Sequence, residues 1–260
     1  MENLKVLKTE SNFKTTIKIK DVTIGDGSFV LIAGPCSIED YDSLDKIGSL
    51  ISKNGGKILR GGAFKLRTSP YSFQGLGTKA LIDLYKIGQK YNLVTISELT
   101  DLSHLEDYLK YVDIIQVGAR NMNNYEMLKK LGKIRKPILL KRGPDATIYE
   151  WLYAAEYLLS AGNKEVILCE RGIRTFETYT RNTLDISAVL AVKKLSHLPI
   201  FVDPSHGTGR SEMVVPLVMA SKVVGADGAM IEIAEIPEKA LSDGKQAINF
   251  DEYEEMVKKL

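Results

Sequence analysis

The segment FVDPSHGTGR, residues 201–210, begins as a buried apolar run and breaks into a proline, a histidine and two glycines, which sets the His206 imidazole beside flexible backbone. Comparable donors stand elsewhere: Cys36 in GPCS, Glu232 in GAMIE and Asp243 in SDGK, with Asp203 just ahead of the histidine. A thiolate, an imidazole and carboxylates form a mixed soft and hard set that suits a divalent first-row metal such as Mn, Fe, Co or Zn, whereas Mg rarely recruits cysteine. Taken singly, these residues have plainer uses: Cys36 as a small buried hydrophobe, His206 as a hydrogen-bonded turn residue, the acids as solvated groups. Brought together by the fold, they read better as ligands.

A second series is cationic: Arg60, Lys65, Arg67, Arg120, Lys141 and Arg171, each at or after the end of an apolar run. Cations gathered at one low-dielectric mouth require an anion or counter-carboxylates, and Glu98 and Glu170 can balance only part of them. Anionic, phosphorylated substrates are therefore expected, because guanidinium forks and ammonium groups match phosphate and carboxylate oxygens. Gly207-Thr208-Gly209-Arg210 offers either backbone N–H groups to a phosphate or merely the freedom for a tight turn. His104 and His197 fall away from these residues and receive no role.

These side chains need elements that carry them to one place. Eight runs rich in β-branched residues read as strands: FVLIAG from 29, KILRGG from 57, LVTISE from 93, VDIIQVG from 112, PILLKRG from 137, EVILCERG from 165, LPIFVDPS from 198 and DGAMIEIAE from 227. Amphipathic stretches alternate with them at 41–53, 77–91, 102–110, 122–132, 147–161, 182–195, 211–224 and from 251. Continuous apolar strands imply burial on both faces, as in a parallel sheet with crossover helices. Eight such units predict an α/β fold, a (β/α)8 TIM barrel, with active-site residues at the C-terminal strand ends. A doubly wound open sheet is the competing fold, but no Gly-x-Gly-x-x-Gly follows the first strand. The segment TIKIKDVTIGDG alternates apolar and polar residues and predicts a hairpin turning near Lys20-Asp21, which gives an extension over 1–28 and a barrel over 29–260.

Composition narrows the function. The 44% hydrophobic and 26% charged fractions suit a globular chain with a sizeable core, and the +2 balance of 35 basic against 33 acidic residues gives no field favouring nucleic acid or a membrane surface. Two cysteines exclude a disulfide framework, and no apolar leader opens the chain, so a cytoplasmic, thiol-reducing setting is expected.

In AGPCSIE, ILRGGAFKLRTSPYSFQGLG, QVGARNM, ILLKRG, ERGIRTFETYTRNTLD, VDPSHGTGR and GADGAMIE, the sequence resembles the 3-deoxy-D-arabino-heptulosonate 7-phosphate synthases, most closely their short microbial subgroup. The resemblance implies condensation of phosphoenolpyruvate with erythrose 4-phosphate at the entry to the shikimate pathway. It implies Cys36, His206, Glu232 and Asp243 as metal ligands, and Arg60, Lys65, Glu98, Ala119, Arg120, Lys141 and Arg171 around phosphoenolpyruvate. It further implies Lys65, Arg67, Thr68, Ser69 and Asp243 around the aldose phosphate, with Lys65, Glu98 and His206 acting in catalysis. Leu66 departs from the family's Lys-Pro-Arg-Thr, a loop expected to be less rigid without its proline. The sister 3-deoxy-manno-octulosonate 8-phosphate synthases, which take arabinose 5-phosphate, carry an Asn-Arg-Ser-Ser type loop here instead. Two alternatives stand beside this reading: a Schiff-base aldolase using Lys141 or Lys65, and a non-catalytic anion-binding barrel. A homodimer or homotetramer is expected by resemblance, and the short stretch before the first barrel strand predicts no effector domain and weak inhibition by aromatic amino acids.

Overall fold

The computed structural model describes residues 4–10, 13–66 and 69–260. Two short strands, β1 (Ile17–Ile19) and β2 (Val22–Ile24), pair antiparallel across a turn at Lys20-Asp21, where the sequence placed it. Eight strands follow: β3 (Val30–Gly34), β4 (Ile58–Arg60), β5 (Val94–Glu98), β6 (Ile114–Val117), β7 (Ile138–Lys141), β8 (Val166–Glu170), β9 (Ile200–Val202) and β10 (Gly228–Glu232). They close into an all-parallel barrel in chain order, with β10 returning to β3. This is the (β/α)8 barrel with its hairpin extension.

Helices cover the outside: α1 (Tyr41–Lys53), α2 (Thr78–Lys90), α3 (Leu105–Tyr111), α4 (Tyr125–Leu131), α5 (Ile148–Ser160), α6 (Ser187–Leu195), α7 (Pro204–Thr208), α8 (Val214–Val223) and α9 (Phe250–Lys259). Their starts are chemically marked. Asp40 caps α1 by accepting from the Ser43 amide, and Thr147 with Glu150 and Asn249 with Glu252 form capping boxes on α5 and α9. The expected helix at 122–132 begins at Tyr125 because Asn124 caps it there. The one expected from 182 begins at Ser187, since Thr183 first exchanges two 2.9 Å hydrogen bonds with Ile173.

α7 is the element that periodicity does not reveal. Asp203 Oδ1 accepts from the His206 amide at 3.0 Å, Pro204 takes the first helical position, and Gly209 ends the turn at φ 71°. His206 therefore rides on a capped helical turn rather than on flexible backbone. The N–H groups of Gly207 and Gly209 donate at 3.0 Å to Asp203 O and Ser205 O, and that of Arg210 donates to Thr208 Oγ1 at 3.3 Å. Of the two readings of this segment, the tight turn is the one the structure carries.

Two apolar layers hold the barrel. One fills the space between strands and helices, where the Trp151 indole also donates to Leu140 O at 3.2 Å. The other lies inside: Ile32, Ile58, Ile96, Leu139, Ile167, Phe201 and Met230 pack with Ile17, Ile19, Val22 and Ile24 of the hairpin. Gly228 admits this packing, because a Cβ there would overlap the Phe201 ring and Val30 O. The hairpin thus extends the interior core, sealing the end opposite the strand C-termini. Ile24→Ala, at a fully buried position, is expected to cost about 2–5 kcal/mol in urea unfolding, as for other large-to-small core changes.

Candidate active site

The strand C-termini and the loops beyond them line a cavity of about 630 Å³. Lys65, Ser69, Glu98, Ala119, Arg120, Lys141, Arg171, His206 and Asp243 all face it, joined by Arg174, Arg181 and Asn182, to which the sequence reading gave no role. Arg60, Cys36 and Glu232 are not among its lining residues; all three are buried. Arg67 and Thr68 lie outside the described residues.

Ligand-type atoms of Cys36, Glu232 and Asp243 fall within 4.8 Å of one another. His206 joins from the side, its Nε2 lying 3.2 Å from Glu232 Oε1 while its Nδ1 approaches Asp203 Oδ2 at 2.7 Å, out of line for a hydrogen bond. The geometry brings the sulfur and two carboxylates together and sets the imidazole against one of them. Lys65 Nζ stands over the same group, 2.5 Å from Cys36 Sγ and 3.1 Å from Asp243 Oδ2. Burial, then the charge of Glu232, pushes the Cys36 thiol up to about 12. Burial opposes ionisation of Glu232 as well, but His206, Arg60 and Lys65 overcome it and hold the carboxyl down at about 2. Lys65 loses by burial and gains more from Cys36, Glu232 and Asp243, ending above the ordinary lysine range.

The cations are balanced differently from the sequence expectation. Arg60 pairs with Glu232 at 2.6 Å, Lys141 with Asp203 at 2.5 Å and Lys65 with Asp243 at 3.1 Å. Glu170 serves Arg142 at 2.9 Å and the Gly172 amide at 2.6 Å, and Glu98 accepts from Gln116 Nε2 at 2.8 Å. Neither acid forms an ion pair with a cation of that series, and Glu170 acts on Arg171 only through its charge nearby. The surplus charge instead rests on Arg120 and Arg171, which have no carboxylate partner among the described residues. Arg120 donates to Leu66 O at 3.2 Å, and Arg171 to His206 O at 3.3 Å and Gly172 O at 3.5 Å. Arg171 is only 7% exposed, and burial draws it below the ordinary arginine value. A buried guanidinium held by carbonyls alone is poised for an anion.

Glu98 is tightly seated. Its backbone carbonyl accepts from Tyr108 Oη, and Gly118 leaves the space its carboxylate fills, since a Cβ there would overlap Oε1. His104 also has a place: its ring stacks on Phe64 at 3.9 Å, just before Lys65. His197 bonds Thr15 Oγ1 and Lys5 O, far from the cavity in function.

A closed barrel with buried donors and unpaired guanidinium groups at its C-terminal mouth defines an enzyme of anionic substrates. Residues 9–260 match the model of the DAHP synthetase I family, and the chain belongs to that family. It is 52% identical to the phospho-2-dehydro-3-deoxyheptonate aldolase of Thermotoga maritima over 95% of this chain and 73% of that protein. A crystal structure of that aldolase, also titled a DAHP synthase, superposes with a TM-score of 0.95 at 50% identity, covering 98% of this chain and 75% of that one. A truncated form of the Thermotoga maritima synthase gives 0.91 at 47% identity, over 98% and 93% of the two chains. The 2-dehydro-3-deoxyphosphooctonate aldolase of Desulfotalea psychrophila is 30% identical over 92% of this chain and 91% of that protein.

Asp203 is the buried counter-charge of Lys141 and the cap of α7. Asp203→Ala should cost about 3–5 kcal/mol in urea unfolding, the usual penalty for leaving a buried charge unpaired.

Proposed function

We propose that the enzyme joins phosphoenolpyruvate to erythrose 4-phosphate with addition of water, giving 3-deoxy-D-arabino-heptulosonate 7-phosphate and inorganic phosphate, the opening reaction of the shikimate pathway. The observation that carries this reading is Arg171, buried without a carboxylate partner among the described residues, donating to His206 O and sharing a cavity with Asp243 of the Cys36, Glu232 and Asp243 cluster.

The donors suit a first-row ion. Their mutual spacing within 4.8 Å matches ligands spread around one centre with bonds of about 2.0–2.3 Å, and sulfur among them favours Mn, Fe, Co or Zn over Mg. Cys36, Glu232 and Asp243 would hold it, with His206 entering through Nε2. When bound, the metal would polarise the aldehyde carbonyl of the aldose as a Lewis acid and favour ionisation of the Cys36 thiol.

The chain's own groups do the rest. Arg120, Lys141 and Arg171 hold the phosphate and carboxylate of phosphoenolpyruvate, with the Ala119 turn beside them and Arg60 fixed beneath on Glu232. Arg67, Thr68 and Ser69 take the phosphate of the aldose, while Lys65 and Asp243 stand at its aldehyde end. Holding two anions together that would otherwise repel supplies positioning worth up to about 7–11 kcal/mol. The methylene carbon of phosphoenolpyruvate bonds to the aldehyde carbon, and the aldehyde oxygen takes a proton from the Lys65 ammonium. Water adds at C2 and gives one proton to Glu98, which Gln116 orients; the C2 hydroxyl proton then passes to the departing phosphate oxygen as the C2–O bond to phosphate breaks and the ketone forms. Both lysines a Schiff-base route would use are engaged by carboxylates, Lys141 by Asp203 and Lys65 by Asp243.

Phosphate release from phosphoenolpyruvate, measured with each aldose after exhaustive chelation and again with added Mn, tests the reading. Chelation should abolish turnover, Mn should restore it, and erythrose 4-phosphate should outpace arabinose 5-phosphate. Full activity without metal, or a borohydride-trapped lysine adduct, would sink it. A preference for arabinose 5-phosphate would move the enzyme to the octulosonate reaction. Cys36→Ser should weaken Mn binding by more than the roughly 10–100-fold that losing an outer partner costs, with little change in fold by circular dichroism.

A further inference from the structure

Gln246 is 3% exposed and closes the turn Gly244–Gln246, just beyond Asp243. Both ends of its amide are bonded. Nε2 donates to Glu232 Oε2 at 2.7 Å, and Oε1 accepts from Arg181 Nη1 at 3.2 Å. The chemistry fixes this orientation, since an ionised carboxylate only accepts and a guanidinium only donates. The other oxygen of Glu232 is held by Arg60 at 2.6 Å and faced by His206 Nε2 at 3.2 Å. Gln246 is thus the contact that fixes Oε2 among the described residues, and without it the carboxylate is held through Oε1 alone. Arg181 lines the cavity with its side chain 43% exposed, and also stands 3.8 Å from Asp243 Oδ1.

We infer that Gln246 is the positioning residue for Glu232 and that Arg181 steadies Gln246, so that a side chain at the cavity rim governs how firmly the buried donors hold a divalent cation. The inference rests on the metal reading above. A neutral amide is the group the place demands: a glutamate would repel Glu232, a lysine would offer Arg181 no acceptor, and an asparagine is one methylene short of spanning both.

The test is calorimetric titration of the full chain with Mn, together with the absorption spectrum of the Co-loaded protein. Gln246→Met keeps the length of the side chain and removes both hydrogen bonds. It should weaken Mn binding about 10–100-fold, the range for loss of an outer-shell partner of a metal ligand. The Co spectrum should keep its thiolate band from Cys36 while its ligand-field bands shift, a signature that a general loosening of the fold would not give. Arg181→Ala should weaken Mn binding in the same direction by less, because the bond to Glu232 survives. Should Gln246→Met fail to fold by circular dichroism, Arg181→Ala decides, since its half-exposed side chain can be removed without opening the core. Mn affinity and a Co spectrum unchanged in Gln246→Met, or affinity unchanged in Arg181→Ala, would overturn the inference. Absence of Mn binding by the unsubstituted chain would overturn the metal reading and this inference with it, a result distinct from variants that bind as tightly as the parent.

Discussion

Charge that must be neutralised without water governs the upper half of this barrel. Arg60, Lys141, Glu170, Asp203 and Glu232 are all buried at or just past strand ends, where an unpaired charge costs several kcal/mol. Their pairing follows the geometry of the barrel. Inward side chains of alternate strands share a layer, so Arg60 of β4 reaches across β3 to Glu232 of β10, and Lys141 of β7 reaches across β8 to Asp203 beyond β9. Lys65 extends the pattern to Asp243, and the site is a lattice of opposite charges before any substrate enters.

The lower half works by the opposite rule. Hairpin residues Ile17, Ile19, Val22 and Ile24 are buried against the inner isoleucines of the strands, leaving that end apolar. The pairs beside the hairpin, Lys20 with Asp113 and Lys57 with Asp21, are partly exposed, whereas the fully buried ion pairs gather at the opposite end. This keeps the ion pairs above in low dielectric, where each interaction is stronger and each missing partner more costly.

Period and composition made the fold legible: every strand and the hairpin turn lay where apolar runs and the Lys20-Asp21 break placed them. The helix α7 escaped because five residues are too few to show a period, although Asp203 before Pro204 and Gly209 after Thr208 are a cap, a first-turn proline and a terminator. Charge balance escaped for another reason. The Arg60–Glu232 pair joins residues 172 apart in sequence, and partner choice depends on which side chains share an inner layer, which counting acids near a loop does not reveal. Counting acids offers Glu98 and Glu170 as counter-charges, yet each is bonded by a neighbour at the adjoining strand, Gln116 and Arg142. Gln246 and Arg181 carried no signal at all, since neutral amides and exposed arginines are common and only their joint contact with Glu232 distinguishes them.

The interior lattice and the described residues after β4 meet at Lys65, and this bears on where selectivity for an aldose would reside. Buried pairs between strands fix Arg60, Lys141 and Glu232. Around Lys65 and Leu66 the described ties are the Lys65 amide on Gln74 O at 2.9 Å, Lys65 Nζ on Cys36 and Asp243, Arg120 on Leu66 O, and Phe64 stacked on His104. Relatives named for the heptonate and octonate reactions both align along nearly all of this chain, so the barrel itself is shared between them. On the proposed function, discrimination by one extra carbon and hydroxyl falls to the cavity-lining residues around Lys65 and Leu66. Leu66 sits there, 39% exposed, and its carbonyl is the point at which Arg120, on the phosphoenolpyruvate side, touches the loop assigned to the aldose. On the proposed assignment the two subsites meet at this hydrogen bond to the backbone, and Leu66, which itself lines the cavity, borders them directly.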